Sequence, residues 1–339
     1  MALIQTPTAH APSDHTMQCM EVWGGNRSID AGVKMSGLDA WVYSRPFSAD
    51  GGEAGPEAGG GDIHYLSSCM TGRISRMLVA DVSGHGRAVD STAVALRDLM
   101  RRYVNFLDQS RLVESLNVEF GNLARMGVFA TAIAATYWAP SSYLVATNAG
   151  HPRPLVYRAR TGQWQFLQPD TGTGDVQAEA RAVDAPTNLP LGVLEPTRYD
   201  QMGIRLETGD MVLIYTDSVI ESRSREGKLL GDMGLLDIVQ GLDPRSPADL
   251  VPALVKTLEL RQGGASFSDD LTCLLLRRNE EVSRVRLYDV LTGLARVLGQ
   301  GAAILTGRKT PLPWPEVRLE TVGGILFERL NRRWKGGVR

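Results

Sequence analysis

The stretch Asp81-Val-Ser-Gly-His-Gly86 decides how the rest of the chain is read. Before it, Ile74-Ser-Arg-Met-Leu-Val-Ala80 is apolar with β-branched residues, the pattern of a buried strand. After it, Val89, Ala93, Leu96, Met100, Tyr103 and Leu107 recur three or four apart. That spacing puts one apolar stripe on a helix from Arg87 to about Gln109. A strand thus delivers an acid to its end, and glycines on either side of His85 turn the chain into the helix. Glycine suits a backbone that must pass close to something else. A carboxylate at such a place can hold a hard cation through oxygen, or it can merely cap the helix. The hexapeptide alone leaves both readings open.

The 339 residues are 43% hydrophobic and 22% charged, which fits a soluble globular protein of one large or two small domains. A net charge of −2 makes no general case for nucleic acid or membrane. The balance is uneven, however. From Arg277 onward there are 13 Lys+Arg against 6 Asp+Glu, leaving 23 against 32 before it, so the body is acidic and the tail basic. Cys19, Cys69 and Cys273 lie far apart without metal-type spacing, as expected of free thiols in a reducing compartment, and the cytoplasm is the expected location. Met1 to Met17 lacks the features of a signal peptide. No stretch reaches the roughly 18 apolar residues of a spanning helix.

Residues 1 to about 37 have little periodicity and read as a poorly ordered lead-in. Asp39 to Pro46 alternates as a strand does. Ala49 to Gly61, rich in Gly, Ala and Glu, reads as a flexible loop that ends at Asp62, with a strand opening at Ile63 to Leu66. A second helix carries Leu112, Leu116, Phe120 and Leu123. Strands Phe129 to Trp138 and Tyr143 to Thr147 turn at Ala139-Pro-Ser-Ser142, and Asn148-Ala-Gly-His-Pro152 breaks the second. Leu155 to Arg158 and Gln163 to Leu167 form a hairpin, and Asp170 to Asn188 is a surface excursion. Ile204 to Leu206 and Met211 to Thr216 flank the turn Thr208-Gly-Asp210, and the latter strand ends at Asp217. Ser246-Pro247 starts a helix towards Leu260 that Pro252 should distort. Asp269-Asp270 precede a last strand, Leu271 to Leu276. Mixed elements with hairpin links argue for α+β with largely antiparallel sheets.

Asp62, Asp81, Asp217 and Asp269 each lie at a strand end or sharp turn. Singly, each reads as a turn aspartate capping a backbone N–H. If the strands converge, the four meet at one rim, where they persist only with cations between them or with raised pKa values. Oxygen ligation suits Mg²⁺ or Mn²⁺, and no Cys/His set exists for zinc. Two such ions ~3.5–4 Å apart would hold a water against a phosphoryl group.

Asp81-Val-Ser-Gly-His-Gly86, Phe129-Ala-Thr131, Asn148-Ala-Gly-His-Pro152, Leu191-Gly192, Thr208-Gly-Asp210, Tyr215-Thr-Asp217, Glu221 and Asp269-Asp-Leu-Thr272 occur in that order. Together, over roughly Leu38 to Arg278, they resemble the SpoIIE-type (RsbU-like) branch of the metal-dependent type 2C (PPM) protein serine/threonine phosphatases. The resemblance implies an α-β-β-α sandwich of two antiparallel sheets flanked by helices, with two Mn²⁺ or Mg²⁺ ions at one edge. By that likeness Asp81 bridges both metals, Val82 offers its backbone carbonyl, and Asp62 binds the second metal. Asp217 and Asp269 complete the first, with Asp270 as fallback, and Asp81 and Asp217 stand as the catalytic pair. The implied reaction is in-line attack of the bridging water on phosphoserine or phosphothreonine, without a covalent phospho-enzyme. The chain then divides into a lead-in over 1–37, the phosphatase domain over 38–278 and a basic, partly helical extension over 279–339.

Some positions depart from the family. Ser83 stands where many type 2C enzymes place a histidine, and His85 is read as stabilising its turn. Tyr65 replaces a second acid. Ser218 replaces a glycine, at a small cost if that place needs a positive φ. His151 is read as making a structural hydrogen bond.

The resemblance implies as substrate a phosphorylated anti-sigma-factor antagonist or similar regulator in a bacterial partner-switching pathway. The acidic body offers no basic groove, so partner surface, not phosphate affinity, is expected to set specificity. No folded sensor fits into the lead-in, which leaves activation to a partner, to the helices between Val89 and Leu123, or to the extension. The extension suggests helices at Val285 to Leu298 and Leu319 to Trp334 around Pro311-Leu-Pro-Trp-Pro315. Arg329, Arg332, Arg333, Trp334 and Lys335 suit an anionic membrane surface, whereas a solvated tail or a self-association segment, giving a homodimer, is the plainer reading. Two other functions stay open: a non-catalytic module that keeps the fold and sequesters a phosphorylated regulator, and Ca²⁺-dependent stabilisation without turnover.

Overall fold

In the computed structural model the chain is described over residues 12–17, 21–47, 58–69, 73–84, 87–103, 106, 108–123, 127–168, 188–263 and 267–281. The first half runs β1 (Pro12–Thr16), β2 (Val22–Arg27), β3 (Ile29–Met35), β4 (Leu38–Arg45), β5 (Gly59–Cys69), β6 (Ile74–Val82), α1 (Arg87–Tyr103) and α2 (Gln109–Leu123). Then follow β7 (Ala130–Trp138), β8 (Tyr143–Ala149), β9 (Leu155–Arg158), β10 (Gln163–Phe166), β11 (Gln201–Arg205) and β12 (Met211–Tyr215). Helices α3 (Asp217–Glu221), α4 (Gly231–Gln240) and α5 (Pro247–Arg261) precede the last strand, β13 (Leu271–Arg278).

The strands form two sheets, ordered β1-β3-β4-β13-β12-β9-β10 and β11-β8-β7-β6-β5-β2. Neighbours are antiparallel except β1 beside β3. Their inner faces share one core that includes Met35, Val42, Val79, Ile133, Val212 and Leu274. The outer face of the second sheet packs under α1 and α2 through residues such as Leu78, Leu96, Leu116 and Phe120. The outer face of the first packs under α4 and α5 through Leu213, Leu235, Leu254 and Leu275. The expected α-β-β-α sandwich is therefore the observed architecture.

Three expectations need correcting. The lead-in is not poorly ordered throughout, because β1, β2 and β3 lie within it and two sheets begin there. Glycines hid this: a Cβ at Gly32 would meet the Trp41 ring at 2.9 Å, so a packing position lacks the side chain that periodicity needs. Second, Gly59 to Gly61 belong to β5 and not to the preceding loop. Third, α5 runs on through Pro252 as one helix. The excursion within 169–187 and the tail over 282–339 fall outside the described residues, as does His85.

Register explains why distant acids meet. β5 and β6 pair antiparallel with Asp62 opposite Asp81, so the start of one and the end of the other share an edge. β12 and β13 pair antiparallel, which puts Asp217, past the end of β12, beside Asp269 and Asp270, before the start of β13.

Candidate metal centre

Asp81 stands next to last in β6, between Asp62 on β5 and Thr131 on β7. Burial raises its pKa to about 7, reinforced by Asp217, Asp269, Asp270 and Glu221. Asp62 is only 3% exposed, and its pKa is pushed up by burial and then by Asp81 and Asp270. Hydrogen bonds from the side chains of Thr216 and Thr272 offset this, the Thr216 hydroxyl donating to Asp62 Oδ2 at 2.8 Å. Asp217 opens α3 with its pKa raised, mostly by burial and then by Glu221. Asp217 and Asp269 thus act electrostatically on Asp81, and Asp81 on Asp62, so these four carboxylates lie within reach of one another's charge. Among the described residues, no three of their acid, histidine or cysteine side chains stand at the separations of a finished metal site.

Asp270 has a different job from its neighbour. Its Oδ1 accepts from the Phe47 N–H at 2.5 Å, and its Oδ2 accepts from Gly61 at 2.5 Å and Asp62 at 3.3 Å. It clamps the exit of β4 to the glycine run that carries Asp62. The glycines make this possible. A Cβ on Gly60 would strike the Asp270 carboxylate, and one on Gly61 would come within 2.8 Å of the Val82 carbonyl. Glycine at this place lets the Gly61 backbone pass close to the Val82 carbonyl and the Val89 side chain.

Residues 72–279 match the family described as stage II sporulation protein E (SpoIIE). This chain belongs to that family. Its fold resembles the RsbU and RsbW domains of Rv1364c from Mycobacterium tuberculosis, at 22% identity over 82% of this chain and 72% of that one, with a TM-score of 0.56. The phosphatase domain and regulatory fragment of SpoIIE from Bacillus subtilis match at 15% identity over 77% and 64%, with a TM-score of 0.54. RsbX in complex with magnesium matches at 17% over 74% and 99%, with a TM-score of 0.50. Such identities speak for a shared PP2C fold. No curated protein matches the sequence.

The departures from the SpoIIE pattern have structural explanations. Ser83 locks the exit of β6, because its hydroxyl accepts from the Phe129 N–H at 3.0 Å while its own N–H donates to the Phe129 carbonyl at 2.9 Å. Ser218 lies inside α3 and is not among the residues with positive φ, so serine costs nothing there for the reason expected. Tyr65 is fully buried under the helices and contributes packing on the face away from Asp62.

His151 does make the structural bond expected of it. Its Nδ1 meets the Thr131 hydroxyl at 2.8 Å, while its N–H and C=O both bond the Asn148 side chain, at 2.7 and 2.8 Å. Burial pushes its pKa down to about 3, against a weaker upward pull from the Tyr215 backbone. A neutral imidazole therefore braces Thr131, the cross-strand neighbour of Asp81. The same turn reaches the other sheet, since Tyr215 donates its hydroxyl to the Arg153 carbonyl at 2.8 Å.

Sequence reasoning missed Thr216 and the clamping role of Asp270, and quoted Glu221 only as part of a motif. Thr216 sits immediately before Asp217, and its hydroxyl also accepts from the Thr272 N–H at 2.9 Å. A hydroxyl next to an acid at a strand end was the available signal. Its partner, 154 residues away, was not legible.

Proposed function

We propose that this protein is a metal-dependent protein serine/threonine phosphatase. The observation that carries the reading is a group of carboxylates whose pKa values are raised first by burial and then by one another's charge, with Asp62 opposite Asp81. Burying like charges together is expensive unless cations join them. The donor set is all oxygen, which fits Mn²⁺ or Mg²⁺. Asp81, Asp217 and Asp269 would hold one ion, and Asp81, Asp62 and the Val82 carbonyl the other. When bound, two such ions supply a water acidic enough to be a nucleophile near neutral pH, and charge to offset the phosphoryl oxygens.

The chain's own residues do the rest. Asp81 and Asp217 set the position of the reacting centre. Asp270 and Thr216 hold the Asp62 segment in register with it. His151, neutral, keeps Thr131 and hence β7 in place behind Asp81. The substrate is a phosphorylated regulatory protein of the anti-sigma-factor-antagonist kind, a reading supported by the likeness to a chain in which RsbU and RsbW domains occur together.

The test is hydrolysis of p-nitrophenyl phosphate by the full chain, with and without Mn²⁺. Turnover that needs Mn²⁺ and disappears in Asp81→Asn is expected; turnover that ignores either change refutes the mechanism. A second reading, a non-catalytic module that sequesters a phosphoprotein, draws on the absence of three ion-holding side chains at ligating separation among the described residues. Calorimetric titration separates the two, since no heat of binding at millimolar Mn²⁺ would favour the module.

A further inference from the structure

The segment leaving α3 folds into a small knob. Leu230 N–H donates to the Ser222 carbonyl at 2.9 Å, Ser224 N–H to Lys228 at 2.9 Å and Gly227 N–H to Ser224 at 2.8 Å, and Arg223 bridges Leu229. Lys228 and Arg225 are exposed on it, with Arg223 alongside, its guanidinium donating to the Gly227 carbonyl at 3.0 Å. The end of α5 adds a fourth cation: Arg261 donates to the Lys228 carbonyl at 3.2 Å. Arg225 lies across Gly263, at the same helix end. Among the described residues none of these four cations forms a salt bridge with a carboxylate. Glu226 is the one acid on the knob; its carboxylate accepts from the Ser224 hydroxyl at 2.8 Å.

Three large apolar side chains on the knob or on the helices that border it in the chain are exposed. Leu229 is 46% exposed, Met233 in the first turn of α4 63%, and Leu260 beside Arg261 68%. The knob also lies close to the reacting centre along the chain. Asp217 opens α3 and the knob follows that helix, whose five residues span about 7 Å at the usual helical rise.

Sign decides what can dock here. The body before Arg277 carries 32 acids against 23 bases, and the rim itself gathers carboxylates, so its net charge disfavours an acidic partner. A knob with three more bases than acids next to that rim is where such a partner is attracted. Charge of this kind steers encounter and orients the complex, while exposed apolar side chains nearby supply short-range adhesion.

We propose that residues 222–230, with Met233, Leu260 and Arg261, form a docking surface for an acidic, leucine-bearing segment of the phosphoprotein partner. The proposal rests on the phosphatase reading for its biological purpose but not for its binding. It adds a basic surface to a body expected to offer no basic groove, because bases scattered in sequence over residues 223–261 are brought together only by the packing of α5 against the knob.

The test uses the full chain and two fluorescent phosphoserine peptides, one flanked by aspartates with a leucine, the other by serines and alanines. Anisotropy titrations should give roughly tenfold tighter binding of the acidic peptide at low salt, with the preference shrinking as ionic strength approaches about 0.5 M. Arg225→Glu/Lys228→Glu should abolish the preference, and with Mn²⁺ present the loss should fall on KM for the acidic peptide while p-nitrophenyl phosphate turnover is unchanged. If circular dichroism shows that this pair misfolds, Lys228→Glu alone should remove part of the preference. Equal affinity for both peptides, or a preference that survives charge reversal, overturns the proposal. So does reversal that abolishes binding to phosphatidylserine vesicles while leaving peptide discrimination intact. No Mn²⁺-dependent turnover of p-nitrophenyl phosphate, with peptide discrimination retained, would instead defeat the phosphatase reading alone.

Discussion

Strand β12 carries an aspartate at each end, and the two could hardly differ more. Asp210, just before it, is 1% exposed, and every one of its contacts is a donor. Its Oδ2 accepts from Arg158 at 2.9 Å and the Glu207 N–H at 3.0 Å, and its Oδ1 from the Ala159 N–H at 2.9 Å. Asp217, just past the other end, has Glu221 and Asp81 as its charged neighbours, and burial raises its pKa. Asp62, nearly as buried as Asp210, is answered only by the Thr216 and Thr272 side chains while two acids act against it. Burial is therefore not what marks the site. The mark is burial without compensation: a satisfied acid staples the fold, whereas acids left to repel one another wait for a cation.

The contrast can be broken most visibly by activity. Asp81→Asn should lower Mn²⁺-dependent phosphatase turnover roughly a thousandfold, on the scale of removing a key electrostatic group, while Asp210→Asn should leave the turnover of folded protein unchanged. Equal losses would mean that the two acids belong to one functional class.

Stability should show the reverse. Asp210→Asn takes an acceptor from buried N–H groups and the charge from Arg158, for about 3 kcal/mol by urea denaturation. Asp62→Asn, measured without divalent cations, keeps the acceptor for Thr216 and removes like-charge repulsion, so it should stabilise by up to about 1 kcal/mol. Destabilisation by Asp62→Asn as large as that by Asp210→Asn would erase the distinction.

A smaller effect comes from the brace behind Asp81. His151 is held neutral with its pKa near 3, against an ordinary 6.5 in the unfolded chain. Between those values the unfolded state binds the extra proton, so this contribution is complete above pH 6.5 and falls away as pH drops towards 3. Acid denaturation of His151→Asn should be shallower over that window than that of the parent. Identical slopes would show that the imidazole is not held neutral. The least effect is expected at Ser218→Gly. Since the position is helical, glycine should cost about 0.5 kcal/mol and bring no gain in activity; a gain would show that the usual glycine there serves the ions.

Local pattern revealed a good deal. The stripe Val89, Ala93, Leu96 and Met100 is buried on α1, and the run after Ile74 is a central strand with Asp81 near its end. The hairpin turns delivered β7 with β8 and β9 with β10. The three strands of the supposed lead-in stayed hidden, because Gly24, Gly25 and Gly32 remove side chains that alternation is read from in β2 and β3, and β1, Pro-Ser-Asp-His-Thr, has no large apolar residue to alternate. Helix α4 was also missed, its buried stripe being no more than Leu235 and Val239. For the site, a strand-end aspartate was recognisable, but the motif aspartates Asp210 and Asp217 look alike when only neighbours in the chain are read.

What the amino-acid sequence determined by itself was the set of strands and turns that bring acids to strand ends, since that information is local: alternation, glycine and chain direction. The tertiary structure alone decided which acids are answered by donors and which by other acids. That depends on partners such as Arg158, Thr216 and Phe47, lying 52, 154 and 223 residues from the carboxylates they meet. Whether buried charge is neutralised is a property of the space around it, and that space is assembled only when the two sheets close.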